Sequence, residues 1–525
     1  QRQVYLLQFQ LICQPRISFT QRPKIAYSMV RDLFLAIDVG TGGIRSALVD
    51  HDGKILKICH KEHEQIVPRY GWSEQRPTDW WAGTVETINQ VLAKVDNAPE
   101  RVAAICACGQ MHGAVLVDSN GLLTRETAPL WNDKRTQPQV DQLNKLIQPN
   151  DALRLTANLP SPAWPASKLM WLMENDPEAV TKAESLLMPK DWINLKLTGE
   201  CAQDYTEASL SFLMDQSTRD WSDELIALTG IPGNLLSPIR NPSEILGGLT
   251  ATAANHLGLS TGIPVLVGAG DYPTALLGSG VCGAGMGSDV TGTSTIMTLI
   301  HKNPVMHSNV SNLLEPSGSW GSFTLLDAGG DAMRWARRAF HENRRSYGEV
   351  ADAAIRAQAG SNSLFFLPYL NGERFSNAPN SRAQFFGLTS GHGLAELHRS
   401  ILEGVAFSVR LRLDLLQGSA GRPERFVASS GGAKSRLWLE IKASMYNTPY
   451  VVPEELECGV VGAAILMAHA TGKFANLRSA SRHMVQLGDQ INPNPEWCDL
   501  YDRMMPIYSD LYHTSQQFYD RIDRL

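Results

Sequence analysis

The chain has 525 residues, enough for two or three domains at about 150 residues each. Its 43% hydrophobic and 19% charged residues are an ordinary globular balance with room for a large core. A net charge of −6 disfavours a nucleic-acid surface, and no apolar run reaches the about 18 residues of a membrane helix.

Eight scattered cysteines without a C-x-x-C pair fit free thiols in a reducing cytoplasm better than a disulfide scaffold or a zinc site. Residues 1–28 carry Arg2, Arg16, Arg22 and Lys24 and no acid. Basic composition fits a transit peptide and an apolar stretch fits a signal peptide, but Gln8 and Gln10 interrupt the apolar part. Met29 stands just ahead of the first strand. Translation is therefore expected to start there, with residues 1–28 a disordered or non-native upstream segment.

"FLAIDVGTGGIRSALVD" then reads as two apolar strands, residues 34–37 and 44–49, joined by a glycine-rich loop. A simple β-hairpin turn accounts for Asp38, Gly40, Thr41, Gly42 and Gly43; a phosphate loop is the alternative. Trp81, Val85, Ile88, Leu92 and Val95 follow at helical spacing. The strand "VAAICACG" delivers "QMHG" at its carboxyl end, residues 186–188 lead into "PKDW", and "VLVGAGD" brings Asp271 to the end of another run. Polar groups thus recur where apolar strands stop, the place where open α/β sheets bind ligands.

"GSDVTGTSTIMTLI" repeats the opening about half a chain later, with Asp289 in the place of Asp38. A repeat on that scale predicts two related α/β domains. Leu402, Ala406, Val409, Leu413 and Leu416 form a helical core stripe, and "RFVASSGG" ends a strand before the helix "SRLWLEIKASMY". Three glycine turns, residues 40–43, 292–294 and 431–433, let backbone N–H groups approach an anion closely, and the third is expected to open a helix. None carries the pattern G-x-x-x-x-G-K-[ST].

From Leu33 to Gly472 the chain resembles the FGGY carbohydrate kinases. "DVGTGGIR" and "TGTST" are similar to the family's two phosphate loops, "SGGAKSRLW" to its adenosine turn, and "PASKLMWLMEN" and "AQFFGL…ELHRSILE" to its two signatures. "GWSEQRPTDWW", "GQMHG", "LWNDKR" and "MPKDW" most resemble the xylulokinase branch. The resemblance implies a two-domain actin-like, ribonuclease H-like ATPase fold with a ligand cleft between the domains. The N-terminal domain would span 33–280, the C-terminal domain 285–475, and a helical extension 476–525.

It further implies an ATP-dependent, Mg²⁺-requiring kinase of the cytoplasm that phosphorylates a terminal hydroxyl of D-xylulose. Its partners would be sugar and ATP, without nucleic acid or membrane, and its assembly a homodimer. Asp271 would be the base that takes the hydroxyl proton, and Asp38 would hold Mg²⁺. Gly40, Thr41, Gly42, Arg45, Gly292, Thr293, Ser294, Gly330, Gly431, Gly432 and Ala433 would bind ATP. Gln110, Met111, His112, Gly113, Trp131, Asn132, Asp133 and Tyr272 would surround the sugar.

Each role has a plain rival. Asp271 could cap a helix, His112 could be a buried hydrogen-bonding residue, Trp131 could pack in the core, and Gly330 could only permit close packing. Tyr272 departs from the family pattern, which has Asn after the base, and leaves the sugar open. L-xylulose, L-ribulose, erythritol and autoinducer-2 are alternative acceptors, and a non-catalytic actin-like sugar sensor is an alternative of another class.

Overall fold

The structure, a computed structural model, describes residues 31–373, 379–418 and 421–525; the expectations for residues 1–28 and for Met29 lie outside the described residues. Strand β1 (Leu33–Gly40) is buried on both faces, which makes it a central strand. It turns through Thr41 and Gly42 into the antiparallel β2 (Gly43–Asp50), with Asp38 opposite Arg45 and Gly40 opposite Gly43. β3 (Ile55–Glu62) continues antiparallel at the edge, its last residues exposed.

Helix α1 (Pro77–Leu92) begins with proline, whose missing N–H costs nothing at a helix start. Its buried face includes Trp80, Thr84, Thr87, Ile88, Val91 and Leu92; Ile88 and Leu92 of the expected stripe are buried, whereas Trp81, Val85 and Val95 lie on the rim. Thr84 and Thr87 donate their hydroxyls to the carbonyls of Trp80 and Gly83, so threonine can lie against the sheet. β4 (Val102–Gly109) returns parallel beside β1. After α2 (Pro165–Asn175) and the single turn α3 (Tyr205–Ala208) come β5 (Ile245–Gly248), β6 (Pro264–Leu266) and β7 (Ala269–Gly270). The sheet order is β5-β6-β4-β1-β2-β3, with β7 also pairing β4. Helix α4 (Asp271–Gly278) starts directly off β7.

The second half repeats this plan. β8 (Gly287–Thr291) and β9 (Thr295–His301) form an antiparallel hairpin; β10 (Ser311–Leu314) and β11 (Trp320–Leu326) extend it. Helices α5 (Gly330–His341) and α6 (Leu394–Gln417) precede β12 (Phe426–Ser429), which lies parallel beside β8 as β4 does beside β1. α7 (Arg436–Tyr446) and β13 (Tyr450–Val451) complete a sheet of order β10-β11-β9-β8-β12-β13. Asp38 and Asp289 each stand two residues before the end of the leading strand, beside Cys108 and Ala428 of its parallel neighbour. The predicted doubling is present at the level of strand order.

Helix α8 (Cys458–Ala470) is apolar nearly all round, as a helix buried on every side must be. It packs on β1 and β4 of the first sheet and crosses α4 backbone to backbone. A Cβ on Gly278 would lie 1.9 Å from the Cys458 carbonyl, and one on Gly462 2.0 Å from that of Thr274. The long α9 (Pro495–Ile522) lies on α7 and α6, and its buried Tyr501 and Tyr508 join the second core. Among the described residues no helix is long and apolar enough to cross a membrane.

Candidate active site

Asp38 is buried where β1 meets its turn. Its Oδ2 accepts from Arg45 Nη1 at 2.9 Å, while Oδ1 is buried and has no partner among the described residues. Burial raises its pKa against the opposing pull of Arg45. Arg45 also lies 3.8 Å from Glu457, at the start of α8. In the turn itself, the Thr41 carbonyl accepts from Gln75 Nε2 at 2.7 Å and its hydroxyl accepts from Trp131 Nε1 at 3.0 Å. Trp131 is 42% exposed, so it is not a core residue; it leans its indole on the first glycine loop.

The segment after β4 is fixed to β1 because the Gln110 N–H donates to the Val39 carbonyl at 2.8 Å. Gln110 Nε2 also donates to Gln75 Oε1 at 2.8 Å, which ties this segment to the residue under Thr41. Met111 fills the space beside β7, where a Cβ on Gly270 would stand 2.7 Å from Met111 Cγ. His112 is buried and has a left-handed backbone, φ 67°. Burial, helped by the charge of Lys168, holds its pKa well below the ordinary value, so the ring is neutral. A Cβ on Gly113 would lie 2.6 Å from the Pro189 ring. Asn132 has a buried, unpartnered Oδ1. Asp133 is placed behind the loop, where the Ser73 N–H and Arg135 use both of its oxygens.

Asp271 is the first residue of α4. Its Oδ1 accepts from the N–H of Tyr272 at 2.7 Å. Burial, then the nearby charge of Asp38, pushes its pKa up to about 7. The carboxyl therefore stands where it can hold or release a proton near neutral pH. The Tyr272 hydroxyl lies 2.6 Å from Thr298 Oγ1 of β9, so the phenol joins α4 to the second sheet.

A buried polar cluster escaped the sequence reading. Lys168 on α2 is fully buried and donates to the carbonyls of His112 and Ala163, each at 2.6 Å; burial brings its pKa down to about 7. Lys190 pairs with Asp191 and, at 2.9 Å, with Asp204, which caps α3 through the N–H groups of Thr206 and Glu207. The Gly270 N–H donates to Thr206 Oγ1 at 3.2 Å, and the His112 N–H donates to Glu207 Oε2 at 3.3 Å. One short helix thus braces both the strand before Asp271 and the His112 loop. The available signal was a lysine inside an otherwise apolar helix face in "PASKLMWLMEN" and a Lys-Asp pair in "MPKDW".

In the second half, Gly292, Thr293 and Ser294 connect β8 to β9. The Gly330 N–H donates to the Gly292 carbonyl at 2.7 Å, and a Cβ there would meet that oxygen at 2.6 Å. Close packing therefore accounts for this glycine. Arg334 holds the Thr293 hydroxyl at 3.2 Å. Gly431 faces open space, whereas a Cβ on Gly432 would lie 2.7 Å from Thr291. A Cβ on Gly292 would be 3.2 Å from the Ser430 hydroxyl, so the second and third turns adjoin. The third turn does not itself open the α-helix. Gly431, Gly432 and Ala433 belong to a 3₁₀ turn, and α7 begins after it with Ser435 as its cap, because Ser430 is left-handed (φ 69°) and redirects the chain. Asp289 is bonded on all sides, by Lys442 at 2.8 Å, Tyr450 at 2.9 Å and Thr291 at 2.6 Å.

Comparison with known proteins agrees with this doubled plan. The N-terminal domain of the FGGY family of carbohydrate kinases matches residues 33–278, and its C-terminal domain matches residues 288–471. The xylulose kinase of Staphylococcus epidermidis is 27% identical over 493 residues, covering 93% of this chain and 98% of that protein. The crystal structure of xylulose kinase from Rhodospirillum rubrum has a TM-score of 0.88 at 26% identity, covering 93% and 100% of the two chains. That of gluconate kinase from Lactobacillus acidophilus has a TM-score of 0.87 at 25% identity, with the same coverage. Two sheets that share a five-strand arrangement, glycine turns on both and family matches over both halves converge: this chain belongs to the FGGY family of carbohydrate kinases, enzymes that use ATP to phosphorylate a sugar.

Proposed function

We propose that the chain transfers the γ-phosphate of ATP to the terminal hydroxyl of a pentulose, converting D-xylulose to D-xylulose 5-phosphate. The observation that carries this reading is Asp271, a half-buried carboxyl at the start of α4 whose pKa is pushed up to about 7 by desolvation and then by the charge of Asp38, directly after Gly270, which packs on Met111. A sugar hydroxyl is a poor nucleophile at neutral pH, and Asp271 would take its proton as it attacks phosphorus. His112, Gln110, Met111, Gly113, Trp131, Asn132 and Tyr272 would shape the sugar side, with Asp133 holding their loop from behind.

Residues 40–42, Arg45 and residues 292–294 would meet the phosphates through backbone N–H groups and hydroxyls, and residues 431–433 the adenosine. Gly330 would shape the second loop. Asp38 fits Mg²⁺, since its Oδ1 is a hard oxygen donor, buried and unpartnered. Bound there, Mg²⁺ would neutralise charge on the phosphates.

A neutral polyol suits this pocket better than an aldonate. Lys168 is committed to two carbonyls and Lys190 to two aspartates, so neither lysine stands open to a substrate carboxylate. The reading carries with it the domain boundaries 33–280 and 285–475, with 476–525 as the helical extension. Free thiols at the described cysteines support a cytoplasmic setting, and light scattering tests the homodimer. A coupled ADP-release assay over D-xylulose, L-xylulose, L-ribulose, erythritol, autoinducer-2 and gluconate should give the highest kcat/KM with D-xylulose. A preference for gluconate or a tetritol would reject the pentulose assignment.

A further inference from the structure

Glu207 is the residue of the polar cluster whose chemistry the reaction above leaves unused. Its side chain has no exposure, Oε2 accepts the His112 N–H at 3.3 Å, and Oε1 is buried without a partner. His112 Nδ1, 4.0 Å from Oε2, is also buried without a partner. Two orphaned polar atoms on adjacent groups are costly unless something fills the space between them. Oε1 shares its carbon with Oε2, so the two orphaned atoms face one another at close range.

We propose that Glu207 Oε1 and His112 Nδ1 together form a subsite for one hydroxyl of the polyol, Oε1 giving a hydrogen bond to that oxygen and Nδ1 taking one from it. A hydroxyl is the simplest group that both donates and accepts, which matches this pair. Glu207 is equipped to donate because burial, then the charges of Asp204 and Asp191, holds its pKa well above the carboxylate range. The two lysines nearby do not reverse this, since Lys190 is taken by Asp191 and Asp204, and Lys168 by two carbonyls. With Oε2 accepting from the backbone, the acid proton belongs on Oε1. The neutral His112 ring can leave Nδ1 as an acceptor. Glu207 thereby becomes a specificity-determining residue that no motif singles out.

This inference rests on the reading of the His112 loop as the sugar side. Its test uses whichever polyol the wild-type enzyme turns over fastest, so the choice of sugar and the role of Glu207 fail separately. The purified full chain is compared with Glu207→Met, which keeps shape without polarity, and Glu207→Gln, which keeps an N–H donor. Each is assayed on the polyol and on its single-deoxy analogues. For the wild type, one analogue should lose about 10–100-fold in kcat/KM. Glu207→Met should raise the KM for the polyol about 10–100-fold, leave the KM for ATP within about twofold, and treat that one analogue like its parent. Glu207→Gln should retain the wild-type discrimination. Unchanged discrimination in Glu207→Met would overturn the proposal, since a merely structural role or a trapped water would leave that ratio intact. Should Glu207→Met fail to fold, Glu207→Asp, whose acid is shorter by one methylene, must show the same loss of discrimination, and a wild-type ratio there overturns the proposal as well.

Discussion

Asp38 and Asp289 occupy the same register of two equivalent hairpins, yet their surroundings are opposite. Asp289 is held by a lysine, a tyrosine and a threonine, all buried, and has nothing left to offer a ligand. Asp38 has one half-exposed arginine and a bare oxygen. The duplicated backbone therefore does not assign the chemistry. What surrounds each carboxylate does: three buried partners turn Asp289 into a pin of the second core, whereas Arg45 alone leaves one oxygen of Asp38 unbonded among the described residues.

The largest expected effect concerns the carboxyl that Asp38 perturbs. Asp271→Asn should lower kcat by roughly two to four decades with little change in sugar KM, read by ADP release. The same variant sharpens the electrostatic argument. The Asp271 pKa is raised from 3.8 to about 7, so the folded state favours the neutral acid. Stability from that form is full below about pH 4 and is lost as pH rises through 7. Asn has no such loss. Asp271→Asn should therefore melt higher than wild type at pH 8 and alike at pH 3.5, by calorimetry.

The paired substitutions Asp38→Asn and Asp289→Asn can break the comparison directly. Asp289→Asn leaves the buried Lys442 charge uncompensated and should cost about 3–5 kcal/mol of stability in urea unfolding, with kcat retained at low temperature. Asp38→Asn should cost about two decades in kcat/KM with the melting temperature kept. Equal effects on activity and stability from both would erase the distinction. A milder check is the pH profile. As base, Asp271 must be ionised, so kcat/KM should fall about tenfold per pH unit below its pKa of about 7 and level off above it. The smallest effect belongs to Tyr272→Phe, which removes only the bond to Thr298 and should cost about 0.5–1.5 kcal/mol of stability with activity nearly unchanged.

Both hairpins, the glycine turns and Asp271 were legible because each is a contiguous pattern: an apolar strand, then small and polar residues. The α1 stripe was legible at Ile88 and Leu92 but missed Thr84 and Thr87, because threonine reads as polar although its hydroxyl can be satisfied by the helix's own carbonyls. Lys168, Lys190 and Glu207 were not legible at all. Charged residues ordinarily sit at the surface, and these became buried only where segments near residues 112, 168, 190, 207 and 270 converge. Trp131 was ambiguous for the same reason, since its partner Thr41 is far away in the chain. Tyr272 departs from the expected carboxamide, and its hydroxyl answers to Thr298 of the second sheet, a contact no local pattern announces.

The crossing of α4 and α8 bears on which residues can be substituted. At Gly278 and Gly462 the helices touch without side chains between them, so neither can shift to accommodate a larger residue. α4 begins with Asp271, and α8 begins beside Arg45 and Asp38. Asp271 and Asp38 are thus held to one frame in which neither Gly278 nor Gly462 has room for a side chain. The His112 loop and Trp131 hang on other segments, whereas Tyr272 belongs to α4 itself. On the proposed assignment, substitutions in the His112 loop or at Trp131 would change which sugar is accepted without moving Asp271 or Asp38.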